Sequence, residues 1–175
     1  NTTGFSNVAV GTCQPSGYGA ALELNTTGDC NVAVGNGALR SNTTANNNTA
    51  VGTLASGCNT TGADNTSVGK KALQVNTTGC RNVAVGSCAL IGYLALCANT
   101  EGSCNIALGS ALGSNTTGGN NVGIGFIALS NNTTGTRNVA VGRSALQENT
   151  TAVDNTAQGF DALKANTTGG DNTAI

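Results

Sequence analysis

The sequence predicts an all-β fold, a parallel β-solenoid (a β-roll or β-helix) in which about ten coils of 17 residues stack along one axis. Three observations predict it. A tetrapeptide recurs at nearly constant spacing, charged residues recur at fixed places in each repeat, and each repeat holds a short β-branched segment ending in glycine. These patterns leave open the handedness of the coil and whether it has two or three sides.

Each repeat begins with Asn-Thr-Thr-Gly or a near variant, and six of the nine spacings between successive copies are 17 residues. The spacings of 24 and 23 hold insertions near 14–20 and 91–97, and one spacing is 16. The consensus is N-T-T-G-x-x-N-(T/V)-A-V-G-x-x-A-L-x-x, whose positions are numbered 1 to 17 below. The repeat covers 1–175, so we expect a single repeat array that is a segment of a longer array or a fibre subunit.

The charged residues mark the outside of each coil. Fourteen of the fifteen fall on positions 5, 6, 12, 13, 16 or 17, and only Glu101 lies elsewhere. Charged side chains are rarely buried without a partner. Three exposed patches are therefore expected to alternate with three uncharged segments in every coil.

The uncharged segments favour strands over helices. Each repeat carries two Gly, two Asn and several Thr or Val, all poor helix formers, and known helical repeats need roughly 30 or more residues. Residues 138–142, Asn-Val-Ala-Val-Gly, are typical of a short strand and a turn. The Ala-Leu pair is expected to form a second wall with leucines stacked inside. These are Leu39, Leu73, Leu129, Leu146 and Leu163.

Two orientations of the strand remain open. Positions 8 and 10, mostly Val, share one face, whereas Asn, Ala and Gly at positions 7, 9 and 11 share the other. If the small residues point inward, the Val face forms an outward apolar stripe that another chain would cover. If Val points inward, each coil is self-sufficient. We favour the first arrangement, an assembled state.

Asparagine occupies position 7 of all ten repeats, which predicts a structural ladder of amides bonded along the axis. The ladder comprises Asn7, Asn31, Asn48, Asn65, Asn82, Asn105, Asn121, Asn138, Asn155 and Asn172. Glycines at positions 4 and 11 are expected to serve turns with positive φ, although Ala45 and Ala152 replace glycine at position 4.

The asparagine at position 1 is also a candidate for N-glycosylation, because Asn-Thr-Thr matches the acceptor pattern. Nine sites fit, namely Asn1, Asn25, Asn42, Asn59, Asn76, Asn115, Asn132, Asn149 and Asn166. If position 1 faces outward, glycans could line the rod. If it forms an internal ladder, none are added.

Seven cysteines favour an oxidising, extracellular setting, and their odd number leaves at least one without an intrachain partner. Cys88 and Cys97 flank the second insertion, and Cys80 and Cys104 are neighbours by register. We predict a disulfide at each pair. The alternative is that these cysteines are free, partly buried small residues.

The composition argues against catalysis, cofactors and metals. The chain lacks histidine, which removes the usual nucleophile pairs and metal ligands. Asp154 and Asp171 occupy position 6 of adjacent coils, but solvated turn charges explain them, and Arg137 is expected to form a surface ion pair with Asp154. A net charge of −1 and the lack of a long apolar run give no reason to expect nucleic acid binding or membrane insertion.

The repeat resembles the N-T-T-G-x-x-N-T-A-x-G-x-x-A-L repeats of tail-fibre-type proteins of bacteria and large viruses, over nearly the whole chain. Its Asn-Val-Ala-Val-Gly core is also similar to the shorter head repeats of trimeric autotransporter adhesins. The resemblance implies a parallel β-roll or β-helix, commonly trimeric, presented on a surface or fibre. The insertions and cysteines depart from those repeats.

We therefore expect a structural or adhesive fibre segment, extracellular on a cell surface, virion or secreted fibre, that self-associates as a homo-oligomer or a head-to-tail filament. The alternative is a soluble binding module, such as an ice-binding or glycan-binding solenoid. Adjacent Thr at positions 2 and 3 should point to opposite sides of an extended strand. That would leave one Thr column per face, where ice binding would need paired columns.

Overall fold

The computed structural model describes residues 3–12, 18–86 and 95–175. It confirms the all-β parallel solenoid, since one short strand from each repeat joins a single parallel sheet in chain order. The strands are β1 (Val8–Val10), β2 (Val32–Val34), β3 (Thr49–Val51), β4 (Thr66–Val68), β5 (Val83–Val85), β6 (Ile106–Leu108), β7 (Val122–Ile124), β8 (Val139–Val141), β9 (Thr156–Gln158) and β10 (Thr173–Ala174). We number the coils 1 to 10 by the strand they contain.

Equal positions of successive coils are paired throughout the sheet. Val122 pairs with Val139 in coils of ordinary spacing, and Val83 pairs with Ile106 across the second insertion. The insertions therefore leave the register unchanged. Much of both insertions, at residues 14–17 and 91–94, lies outside the described residues.

Backbone hydrogen bonds join the coils outside the sheet as well. Thr60 N–H donates to the carbonyl of Thr77 at 3.0 Å, and Leu39 N–H donates to the carbonyl of Ala55 at 3.0 Å. Several sides of each coil therefore rest on the next coil. This stacking explains how a strand of only two or three residues suffices in each repeat.

The small face of the strand points inward, as the favoured arrangement predicted. Ala33, Ala50 and Ala140 at position 9 are completely buried, whereas the side chains at positions 8 and 10 are half-buried or exposed. The self-sufficient alternative is wrong because the side chains of positions 8 and 10 point away from the core. The interior holds small side chains at position 9, and at Gly123 an added Cβ would lie 2.9 Å from Cβ of Ala111 on the opposite wall.

The opposite wall is the predicted Ala-Leu pair. Leu39, Leu73, Leu129 and Leu146 are completely buried, and each contributes about 2 kcal/mol by leaving water. Leu163 is only partly buried but packs against the core.

The prediction for the two glycine columns is half correct. Glycines at position 11, such as Gly52 with φ of 134°, adopt positive φ at almost every coil. Glycines at position 4 do not, so that prediction is wrong. They serve close approach instead, because a Cβ on Gly28 would lie 2.4 Å from the carbonyl oxygen of Ala45 in the next coil. Ala45 itself is almost fully buried at 4% exposure.

Three further positions, 6, 13 and 15, have left-handed φ without glycine in most coils, and Lys71 at position 13 has a φ of 62°. Position 15 has a φ near 50°, as in Leu39 at 48°, and position 6 has a φ near 58°, as in Asp154 at 59°. This conformation costs roughly 1–2 kcal/mol for an L-residue. At Leu39, complete burial and the hydrogen bond to Ala55 offset that cost.

Within the described residues, the apolar core is interrupted between coils 3 and 4. Ser56 replaces leucine at position 15 and Ser67 replaces alanine at position 9 of the next coil. Both are buried, and their hydroxyl oxygens are hydrogen-bonded at 2.9 Å across the interior. Each of these two serine hydroxyls is therefore the hydrogen-bond partner of the other. The serine pair also separates the two apolar clusters of the core.

Candidate functional site

The interior next to the leucine column is polar and consists of two asparagine ladders. The position-7 ladder is confirmed at every step from Asn7 to Asn172. Asn138 N–H donates to Oδ1 of Asn121 at 3.0 Å, and its Nδ2 donates to the carbonyl of Ala152 at 2.8 Å. All members are buried except Asn7 and Asn172, which are partly buried.

The position-1 asparagines form the second ladder. Asn132 Nδ2 donates to Oδ1 of Asn115 at 2.8 Å and to the carbonyl of Gly135 at 3.1 Å. Asparagine occurs at position 1 in all ten repeats, and this was the sequence signal for the ladder. A glycosylation motif by itself would not require asparagine in every repeat. These side chains therefore hold the coils together from inside.

This placement overturns most of the candidate glycosylation sites. Seven of them are buried side chains whose amide nitrogen is hydrogen-bonded, so the folded chain has no room for a glycan there. They are Asn25, Asn42, Asn59, Asn76, Asn115, Asn132 and Asn149. Asn166 is partly buried and donates to Asn149 and Gly169, and Asn1 lies outside the described residues.

Cys80 and Cys104 are neighbours, as register predicted, because Cys104 N–H donates to the carbonyl of Cys80 at 2.9 Å. Both thiols are free, however, so the predicted disulfide is wrong. The reason is the direction in which the Cys80 side chain points. Sγ of Cys80 accepts from the N–H of Ala63 at 3.3 Å in the preceding coil, and therefore points away from the following coil that carries Cys104.

The predicted pairing of Cys88 with Cys97 stays a prediction, because Cys88 lies outside the described residues. Cys97 is partly buried, and its thiol donates to the carbonyl of Gly113 at 3.2 Å.

The charged residues form surface contacts along the axis. Nε and Nη2 of Arg137 donate to the two carboxylate oxygens of Asp154 at 2.6 and 2.7 Å, as expected. The hydrogen bond from Arg137 lowers the pKa of Asp154, and that bond together with the charge of Asp154 raises the pKa of Arg137. Asp154 is thus an ion-pair partner. No group of three His, Cys, Asp or Glu residues in the described ranges could hold a metal ion.

The threonine columns differ from expectation. Thr60 at position 2 is partly exposed, and its hydroxyl donates to the carbonyl of Thr77 in the next coil at 3.0 Å. Thr61 at position 3 is exposed. Positions 2 and 3 form a bend in place of an extended strand, so both columns lie on the outside and run side by side.

The outward face of the sheet is an uncharged and mostly apolar surface of the rod. Positions 8 and 10 contribute Val, Ile, Leu or Thr from nearly every strand, and Val10 and Val68 are 57% and 37% exposed. Positions 7 to 11 carry no charged residue in any coil. We call the residues at positions 8 and 10 of the ten coils the valine face.

The chain matches no family model, curated protein or solved structure with which it was compared. In the described parts of the chain, no helix is long and apolar enough to cross a membrane. The surfaces and their chemistry are therefore the basis for a functional proposal.

Proposed function

We propose that this chain is a structural rod, a segment of an extracellular fibre or surface protein that assembles with copies of itself through the valine face. The observation that carries the proposal is the uncharged and mostly apolar face along the ten strands, where Val, Ile or Leu fills most places and Thr or Gln fills the others. At about 4.8 Å per strand, this face is roughly 48 Å long. Apolar patches of that extent are typical of surfaces that a protein partner covers.

A second copy is the partner that best fits this face. The same residue types recur at each step, so two copies can meet with the same patch on both sides, as closed symmetric assemblies require. The absence of charge at positions 7 to 11 removes the repulsion that two identical charged faces would suffer. Catalysis is not part of the proposal, because the valine face carries no acid, base or nucleophile.

Sedimentation velocity of the purified chain over a range of concentrations tests the lateral contact. We expect the parent chain to be an oligomer and the double variant Val68→Lys with Val141→Lys to be a monomer. The two lysines would place unpaired charges in the buried contact between copies. The matched control is Thr61→Lys with Thr134→Lys, which places the same charges on the same coils away from the valine face. A monomeric parent chain, or equal dissociation by both variants, would refute the proposal.

Ice binding is a second candidate function, favoured by the side-by-side threonine columns at positions 2 and 3. Position-2 hydroxyls are held by bonds along the axis, as in Thr133 to Thr150 at 3.1 Å, which gives the array a regular geometry. Glu101 interrupts the outer column between Thr78 and Thr117. Thermal hysteresis that Thr134→Tyr abolishes would support this function, and no hysteresis from the parent chain would exclude it.

A further inference from the structure

Coil 6 is one residue shorter than the other regular coils, which is the origin of the 16-residue spacing in the sequence. Two residues normally separate the glycine of position 11 from the alanine of position 14, but only Ser110 separates Gly109 from Ala111. Gly109 compensates with a φ of 86°, whereas Gly125 and Gly142 in the following coils have values of 129° and 131°. The wall of the rod is therefore recessed at Ser110.

A cavity of about 540 Å³ lies at this recess and extends over coils 5 to 8. Its volume is within the range of roughly 300–1,000 Å³ that small-molecule sites occupy. Phe126 and Ile127 of the next coil provide its apolar side, and Ser110, Ser114, Asn131 and Gln147 provide polar groups. Coil 6 therefore leaves a notch at the place where the other regular coils have one more residue.

The ring of Phe126 is available to a ligand on one side only. The guanidinium of Arg143 in coil 8 lies 5.8 Å from the ring centroid, but Arg143 is not among the described residues that line the cavity. Arg143 also contacts Phe160 in coil 9 at 5.6 Å, so the cation is held between two rings. This arrangement fixes Phe126 as a platform beside the notch.

The polar groups around the platform are neutral. No charged side chain is among the described residues that line the cavity. Oε1 of Gln147 is buried and accepts no hydrogen bond within the described structure. An acceptor left without a donor costs free energy, so a hydrogen-bond donor placed within reach of this amide would be favoured.

We propose that this notch binds a neutral saccharide. A sugar ring presents an apolar C–H face, which matches the Phe126 ring, and a rim of hydroxyl groups, which match Ser110, Ser114 and Gln147. Acidic sugars would place a carboxylate in a site without a cation to compensate it, and that is unfavourable. The binding site is separate from the valine face, so a fibre could carry it on each copy.

Saturation-transfer NMR and calorimetric titration test this proposal, with methyl glucoside, methyl galactoside, methyl mannoside and N-acetylglucosamine as neutral probes. Glucuronic acid and N-acetylneuraminic acid are the charged probes. We expect at least one neutral probe to bind and the charged probes to bind at least tenfold more weakly. Binding by none of the neutral probes, or equal binding by the charged ones, would overturn the proposal.

Three variants locate the site. Phe126→Ala should weaken binding about tenfold, the factor that loss of one aromatic contact of about 1.4 kcal/mol produces. Phe160→Ala is the matched control, since Phe160 occupies the same repeat position and also contacts Arg143 but does not line the cavity. A serine inserted between Ser110 and Ala111 should restore a 17-residue coil, keep the thermal midpoint and abolish binding. An equal loss in Phe126→Ala and Phe160→Ala, or full binding by the insertion variant, would refute the site.

Discussion

The backbone N–H of Asn105 donates to the side-chain Oδ1 of Asn82 at 3.0 Å, although 23 residues separate the two asparagines. The same bond joins Asn138 to Asn121 at the ordinary spacing of 17 residues. The ladder thus keeps its register across an insertion. Buried amide contacts, more than the length of chain between them, determine where each coil rests on the next.

Removing one step of the ladder should be costly. Asn105→Ala deletes the bond from Nδ2 to the carbonyl of Gly118 at 2.8 Å and leaves the N–H of Asn121 without its acceptor. We expect a loss of about 2–4 kcal/mol, because buried polar groups lose their partners. Chemical denaturation measures it. Asn131→Ala, an exposed asparagine bonded to Glu148, is the control and should change stability by less than about 0.5 kcal/mol. An equal loss of stability in the two variants would contradict an interior ladder.

The buried serine pair makes a prediction about coupling. Ser67→Ala leaves the hydroxyl of Ser56 without its 2.9 Å partner, and we expect a loss of about 1–2 kcal/mol. Ser56→Ala should cost less, because the hydroxyl of Ser67 still donates to the carbonyl of Thr49 at 3.4 Å. The double variant should lose less than the sum of the two, since neither hydroxyl then remains unpaired. Thermal unfolding of the four proteins measures the cycle, and strict additivity would show that the two hydroxyls do not interact.

The left-handed turn at position 6 offers a stabilising substitution. Arg81 has a φ of 56° and an exposed side chain, so Arg81→Gly removes an unfavourable conformation without emptying the core. We expect a gain of about 0.5 kcal/mol after the greater unfolded-chain entropy of glycine is subtracted. Arg40→Gly at position 16, where φ is not positive, should instead destabilise the chain. A lower melting temperature for Arg81→Gly would contradict the assigned backbone.

The Arg137–Asp154 pair should make stability weakly dependent on pH. The pKa of Asp154 is lowered in the folded chain by its hydrogen bond with Arg137. The pair therefore stabilises the fold above the unfolded pKa of about 3.9, and this contribution disappears as pH falls through the folded value. Both groups are exposed, so the effect is small and is screened by salt.

Melting temperatures of the parent chain and Asp154→Asn between pH 7 and pH 2 measure this dependence. The difference between the two proteins should be greatest near neutral pH and low salt, and should vanish in acid. Glu101→Gln, which removes an exposed carboxylate outside the ion pairs found among the described residues, should show no comparable difference. A difference that grows as the pH falls would have the wrong sign.

Much of this structure could be predicted from the repeat, for identifiable reasons. Charges at fixed positions marked the exposed turns, and a constant spacing of Asn implied the ladder from Asn31 to Asn155. The direction of the Val side chains could not be decided from an alternating pattern, since either face can be buried. The complete burial of alanine at position 9, as in Ala33 and Ala140, decides it.

Other features of the structure had no recognisable signal in the sequence. Leucine rarely adopts positive φ, so nothing about Leu39 predicted its left-handed turn. The repeat register correctly placed Cys80 beside Cys104, but it does not show which way a side chain points along the axis. The predicted disulfide was wrong for that reason. The 16-residue spacing was visible in the sequence, yet only the structure shows that the missing residue opens a cavity beside Phe126.

Distances between spin labels at position 3 test most directly whether the coils stack in constant register. Labels at Thr27 paired with Thr78, Thr117 or Thr151 span three, five and seven coils, and we expect separations that grow by about 4.8 Å per coil, roughly 14, 24 and 34 Å between backbones. A label that does not use thiols avoids the native cysteines. Distances that fail to increase with coil number would contradict the stacked rod.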